Sequence, residues 1–221
     1  MDSTDIEPSL ALRVPAFDTL LAHACEDPAR FLGSVSPPLF QASLFAFESI
    51  EDWGDKPGES ARMFASGMGA ITAAIMSCTR AGDHVVAVQG CYARSLLDSV
   101  LARFGVETTY VDGTDLSAFD AATRPNTTLY YLESPLTIVF DLQDIAAVCS
   151  IARSHGVTTL IDNSHCTPYL QNPIEMGVDI VVHSASKYLG GHSDLIGGAL
   201  ITSAARLRET LNHESSLLGS V

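Results

Sequence analysis

The chain has 221 residues, of which 47% are apolar and 17% charged, so it can bury the core of one good-sized domain and is not globally disordered. Its 12 basic and 26 acidic residues give a formal net charge of −14, which argues against nucleic acid or an anionic membrane as the main partner, since both need a basic face. Only two lysines occur, Lys56 and Lys187, so chemistry that needs a primary amine side chain has two candidates. The five cysteines, Cys25, Cys78, Cys91, Cys149 and Cys166, are odd in number and form no CxxC pair, and they read as free thiols of a reducing compartment. Met1 to Pro8 is acidic and polar, unlike a secretory signal, and no apolar run approaches the roughly 18 residues of a membrane span. The expected location is the cytoplasm.

Residues 1–60 read as an N-terminal arm and loop. Pro8, Pro15, Pro28, Pro37, Pro38 and Pro57 punctuate them, Leu10 to Cys25 allows one short amphipathic helix, and Trp53 to Gly58 is a loop by turn chemistry. From Arg62 the pattern becomes regular. His84–Gln89 reads as a buried strand, and Arg94–Phe104 as a helix with Leu96, Leu97, Val100, Leu101 and Phe104 on one stripe. Val106–Val111 is a predicted strand, Leu116–Ala122 a short helix and Thr127–Leu132 a strand. Leu142–His155 reads as a helix with Ile145, Val148, Cys149 and Ala152 inward and Gly156 as its C-cap. Val157–Ile161, Ile180–His183 and Gly198–Thr202 are further strands, and Ala204–Leu218 is a final helix. Continuous apolar strands separated by helices predict an α/β fold, a mostly parallel sheet with helices on both faces, spanning residues 61–203. Residues 204–221 read as the start of a linking helix.

In such a sheet, ligands bind beyond the carboxyl ends of the strands. Ser66-Gly67-Met68-Gly69 follows Phe64-Ala65 and opens a helix, so its free N–H groups and the helix dipole suit a phosphate. Gly90-Cys91-Tyr92 follows the next strand, and Tyr92 offers a stacking plate. Glu133-Ser134-Pro135 and Asp162-Asn163-Ser164 end two more strands, the second with a carboxylate that can hold a protonated ring nitrogen. Ser184-Ala185-Ser186-Lys187 ends another, with hydroxyls at i and i+2 facing one side if the segment is extended. A phosphorylated, flat, nitrogen-containing aromatic aldehyde would use all of these groups at once. That points to pyridoxal phosphate, with Lys187 as the Schiff-base amine. Singly, each residue has an ordinary explanation: Asp162 a strand-end Asx turn, Tyr92 a packing residue, Lys187 a solvated lysine. It is their convergence on one sheet end that carries the reading. Lys56, between Asp55 and Pro57 in a loop, is expected to stay hydrated.

Other chemistries fare worse. There is no GxSxG elbow or Walker loop, and Thr72 stands where a third glycine of GxGxxG would be. His192-Ser193-Asp194 cannot converge as a relay, because the three are adjacent in one chain. His165, Cys166, His183 and His192 have no zinc-type spacing, so no metal site is expected.

Ser-Ala-Ser-Lys-Tyr-Leu-Gly-Gly-His-Ser-Asp, residues 184–194, resembles the lysine signature of the Cys/Met metabolism family of PLP-dependent enzymes, the cystathionine γ-synthase, cystathionine β-lyase and methionine γ-lyase group. The resemblance extends through Asp162-Asn163-Ser164, Glu133-Ser134-Pro135, Cys91-Tyr92, Phe64 to Met68 and the arm Pro37 to Ser43. It implies the large domain of the aminotransferase-like fold type I. It also implies that Lys187 carries the cofactor and moves protons, that Tyr92 stacks on its ring, and that Asp162 pairs with the ring nitrogen. Gly67 and Met68 would meet the phosphate through backbone N–H groups, and Ser184 and Ser186 through hydroxyls. The implied function is cystathionine synthesis or C–S bond cleavage on sulfur amino acids, by a homo-oligomer or in association with a full-length relative. The alternative is a non-catalytic remnant that keeps the fold.

Three departures from the family pattern stand out. A Tyr-x-Arg pair that the family places before the Ser-Gly-Met turn is missing between Phe47 and Arg62, which removes a guanidinium from the phosphate site. Leu136-Thr137-Ile138 replaces Ser-Asn-Pro. The sequence ends at Val221, where the family continues into a small C-terminal domain with the arginine for the substrate carboxylate. The expectation is therefore a truncated, internally deleted member lacking the small domain, with Leu207, Leu211, Leu217 and Leu218 left exposed.

Overall fold

Seven short segments pair into one sheet because their side chains are β-branched or apolar and are bounded by turns. They are β1 (Ala61–Phe64), β2 (His84–Val88), β3 (Glu107–Val111), β4 (Thr127–Glu133), β5 (Thr158–Asp162), β6 (Ile180–Ser184) and β7 (Gly198–Thr202). The computed structural model describes residues 61–206. The expectations for residues 1–60, Lys56 included, and for the helix beyond Arg206 with its four leucines fall outside them.

The strand order is β1-β7-β6-β5-β4-β2-β3. β2 to β6 run parallel to their neighbours, while β7 is antiparallel to both β6 and β1. Every residue of β2 is buried, as are all but one of β4, so both faces of the sheet centre are covered. The expected mostly parallel α/β sheet is therefore what forms.

Helix α1 (Gly67–Cys78) packs on β4, β5, β6 and β7. Its small buried residues Ala70, Ala73 and Ala74 allow that approach, and Ser66 caps it by accepting from Gly69 N at 3.0 Å. α2 (Leu116–Ala122) is capped by Asp115 and lies against β3 and α3 (Ile145–His155). α3 buries Ile145, Val148, Cys149 and Ala152 as expected, and it starts later than expected because Asp144 takes Ala147 N as its N-cap. Gly156 ends it in the left-handed region at φ 69°. Two short helical turns, α4 (Thr167–Leu170) and α5 (Ala204–Arg206), complete the set.

One expected element differs. Residues 96–104 form a π-helical turn, Leu96–Val100, followed by a 3₁₀ turn, Leu101–Phe104, rather than a regular helix. Leu96, Leu97 and Leu101 face the core, but Val100 and Phe104 are 40% and 61% exposed. A wide turn followed by a tight one breaks the 3.6-residue phase on which the stripe was built.

One tight contact holds the site end in place, and one buried ring ties the strands together at the opposite end. A Cβ on Gly198 would lie 2.2 Å from the Ser66 carbonyl oxygen, so β7 and the β1–α1 turn touch backbone to backbone. His84 is fully buried and bridges two neighbouring strands, Nδ1 to Thr127 Oγ1 at 2.7 Å and Nε2 to Thr109 Oγ1 at 2.8 Å. Gly198→Ala should therefore destabilise the fold by on the order of 3 kcal/mol, read as a lower urea midpoint. Burial first, and the Arg124 charge second, push the His84 titration below its usual value, and burial does the same to His183. Below about pH 6.5 the unfolded chain then binds more protons than the folded one, so stability is lost as pH falls through that point. Thermal scans at pH 7.5 and 5.5 should show the loss, and His84→Gln should make it smaller.

Candidate active site

The chain runs from β2 outward to β3 and then returns to the other side of β2 to form β4. Beyond the carboxyl ends of β2 and β4 this reversal leaves a crevice. Gly90, at φ 91°, turns the chain after β2 and brings Tyr92 over the end of β4. There Tyr92 N donates to Glu133 Oε2 at 2.7 Å. The other oxygen, Oε1, accepts from Thr137 N at 2.9 Å and from the Thr137 hydroxyl. Burial pushes the Glu133 carboxyl above its usual range, while the Thr137 and Tyr92 bonds oppose the shift.

β4 and β5 end in register, so Glu133 pairs with Asp162. Asp162 Oδ1 accepts from Ser164 N at 2.9 Å and Ser164 Oγ at 2.6 Å. Ser164 Oγ in turn accepts from Ser184 N at 2.6 Å, tying the ends of β5 and β6 together. Asp162 is thus the Asx turn that its position allows, and it is also a wall of the cleft. Its Oδ2 takes no hydrogen bond from the described residues. Lys187 follows β6 in a turn closed by its own N–H to Ser184 O at 3.1 Å. Its Nζ lies 5.0 Å from the centroid of the Tyr92 ring. Tyr92, Glu133, Thr137, Asp162 and Lys187 line one cleft of about 80 Å³.

Gly67, Met68, Ser184 and Ser186 do not line that cleft; Gly67 and Ser184 pack together in a separate corner. A Cβ on Gly67 would lie 2.7 Å from Ser184 Cβ and 2.8 Å from its Oγ, so only glycine lets the start of α1 sit against the end of β6. The N–H groups of Gly67 and Met68, in the first turn of α1, have no partner among the described residues. Ser186 differs from the expected pair of parallel hydroxyls. Its Oγ accepts from Gly197 N at 3.0 Å and donates to Gly197 O at 3.2 Å. The strand ends at Ser184, so the alternation that would have put both hydroxyls on one side does not reach Ser186.

Sequence reasoning placed Glu133 and Ser164 at strand ends but gave them no role. An acidic residue closing the fully apolar end of β4 was the available signal for the first. His165 stands edge-on to Phe140 and Tyr188, with ring centroids 5.5 and 5.7 Å away. Among the described residues, no group of three or more metal-ligating side chains gathers.

The family model described as Cys/Met metabolism PLP-dependent enzyme matches residues 55–221. The chain belongs to this family. The L-methionine γ-lyase of Pseudomonas putida is 38% identical over 87% of this chain and 56% of its own length. A probable cystathionine γ-synthase of Herpetosiphon aurantiacus is 36% identical over 93% of this chain and 71% of its own. The crystal structure of cystathionine γ-lyase from Lactobacillus plantarum, complexed with L-serine, superposes with a TM-score of 0.81 at 36% identity, covering 94% of this chain and 60% of that one. The chain thus spans about half the length of the methionine γ-lyases it matches. Among the described residues, no helix is long and apolar enough to cross a membrane.

Behind the Tyr92 turn, burial pushes the Cys91 thiol up to about 12. It should stay protonated and resist iodoacetamide at pH 8 in the native protein, reacting only after unfolding, whereas the part-exposed Cys166 labels before it. Peptide mapping after timed labelling reads the order.

Proposed function

We propose that the chain is the cofactor-binding part of a pyridoxal phosphate enzyme that makes or breaks C–S bonds in sulfur amino acids. The observation that carries the reading is the cleft in which the Lys187 amine stands against the Tyr92 ring while a buried Asp162 keeps one carboxylate oxygen free of donors from the described residues. The donor set fits the group. The amine suits an aldehyde, the ring face a flat heterocycle and the carboxylate a ring N–H. The open first-turn N–H groups of Gly67 and Met68, in a corner that a Cβ would fill, suit a phosphate.

When bound, pyridoxal phosphate supplies an electron-accepting ring that stabilises charge left on a substrate carbon. The protein's residues divide the remaining work. Lys187 would be the covalent anchor and the proton carrier at the substrate Cα. Asp162, held by Ser164, would accept from the ring N–H and favour the protonated form. Tyr92 would cover the ring face. Ser184 adds a hydroxyl to the phosphate corner, and Ser186 can join it only by giving up Gly197. The substrate class follows the relatives, which are named for methionine and cystathionine. Action in the cytoplasm as an oligomer belongs to the same proposal. Exposed Ile138 and Phe140 beside the cleft are apolar surface that a second subunit would cover.

Borohydride reduction of the protein incubated with pyridoxal phosphate, followed by peptide mapping, should find pyridoxyl on Lys187. Lys187→Ala should lose both the label and the near-visible absorbance band. A label on Lys56, or on neither lysine, would sink the assignment.

A further inference from the structure

Glu133 is 6% exposed, and among the described residues no cationic side chain pairs with it. Its neighbour across the sheet is a second acid, Asp162. A carboxylate in such a place is costly unless its oxygens are fully used. Both oxygens accept hydrogen bonds, and from two different loops. Oε2 receives the Tyr92 backbone N–H at 2.7 Å, and Oε1 receives the Thr137 backbone N–H at 2.9 Å together with the Thr137 hydroxyl.

Three donors converge on the group. Only a side chain with two acceptor oxygens satisfies both arms. Glutamine would turn its NH₂ toward one of the two N–H groups, and aspartate lacks the methylene needed to reach both.

Both arms end on walls of the same cleft, because Tyr92 and Thr137 line it together with Lys187 and Asp162. The Thr137 side carries strain. Ile138 and Phe140 have φ of 71° and 61°, the left-handed region that a β-branched isoleucine strongly disfavours. Such backbone persists only where its surroundings over-determine it. The Glu133 bonds supply that constraint at the residue where the strained segment begins, and Phe140 N to Leu136 O at 2.9 Å and Leu136 N to Asp141 O at 2.9 Å close it.

We propose that Glu133 is a positioning residue: its carboxylate is a strut that ties the Tyr92 turn and the 136–140 strap to the end of β4 and so fixes the width of the cleft between them. The strut deepens the cofactor-site reading and rests on it for its purpose, though not for its geometry.

Hydrogen exchange and cofactor binding test it together. In Glu133→Gln, the Tyr92 and Thr137 amides should exchange at least ten times faster, while the β4 amides of Leu129 to Leu132 keep their rates. The same variant should bind pyridoxal phosphate about ten times more weakly and alter the circular dichroism band of the bound chromophore. Unchanged exchange at Tyr92 and Thr137, or acceleration spread evenly along β4, overturns the strut. If Glu133→Gln does not fold, Glu133→Asp, one methylene too short for both arms, decides by the same two amides. Faster exchange there supports the proposal, and unchanged rates overturn it. A wild-type chain that bound no pyridoxal phosphate would defeat the functional reading, while the exchange rates would still decide the strut.

Discussion

The site depends on the in-register parallel pairing of β4 with β5. Because that ladder pairs Leu129 with Thr158 and keeps step to the end, the last residues of the two strands, Glu133 and Asp162, arrive side by side. β6 joins the same edge through Asp162 and Val182, and its terminal Ser184 is then within reach of Ser164. Each polar side chain organises a loop that the sheet itself cannot order: Glu133 the turn after β2 and the strap after β4, Asp162 the turn after β5, Ser164 the end of β6. A slip of one residue in the ladder would send every one of these side chains to the opposite face. The apolar middles of the strands prevent that slip, since their residues are buried on both sides.

Much of this was legible in the sequence, for physical reasons that differ by element. Strands buried on both faces read as unbroken apolar runs, so β2, β4, β6 and β7 stood out. α3 carried a complete signal: an apolar stripe, a glycine after it and basic residues in its last turn. The 96–104 segment misled because its stripe was judged on a 3.6-residue period that the backbone does not keep. Lys187, Tyr92 and Asp162 could be expected to meet in one cleft because all three follow or end strands of one sheet. Ser186 was placed by strand alternation, and alternation ceases where the strand does. Glu133 was visible only as a letter at the end of β4, because its role comes from partners 41 and four residues away, which no local pattern links.

The three residues after Pro135 illustrate how a departure in sequence can be read in geometry. Thr137 replaces an amide side chain of the family pattern, and its hydroxyl and backbone are both turned to Glu133. It therefore anchors the strap instead of offering an N–H to the cleft. Ile138, without the ring constraint of proline, stands 84% exposed with its backbone in the left-handed region. The strap beside the cleft is thus more strained than the family motif would make it.

The contact between Gly198 and Ser66 has a temporal consequence. Among the described residues β1 pairs only with β7, so the turn that opens α1 is fixed by a strand that follows it by more than a hundred residues. Closing so long a loop is entropically slow, and the pairing cannot occur while β7 is still inside the ribosome. The parallel strands between them can assemble earlier as synthesis proceeds. The corner at Gly67, although its own residues are made more than a hundred positions earlier, is therefore completed only once β7 has emerged.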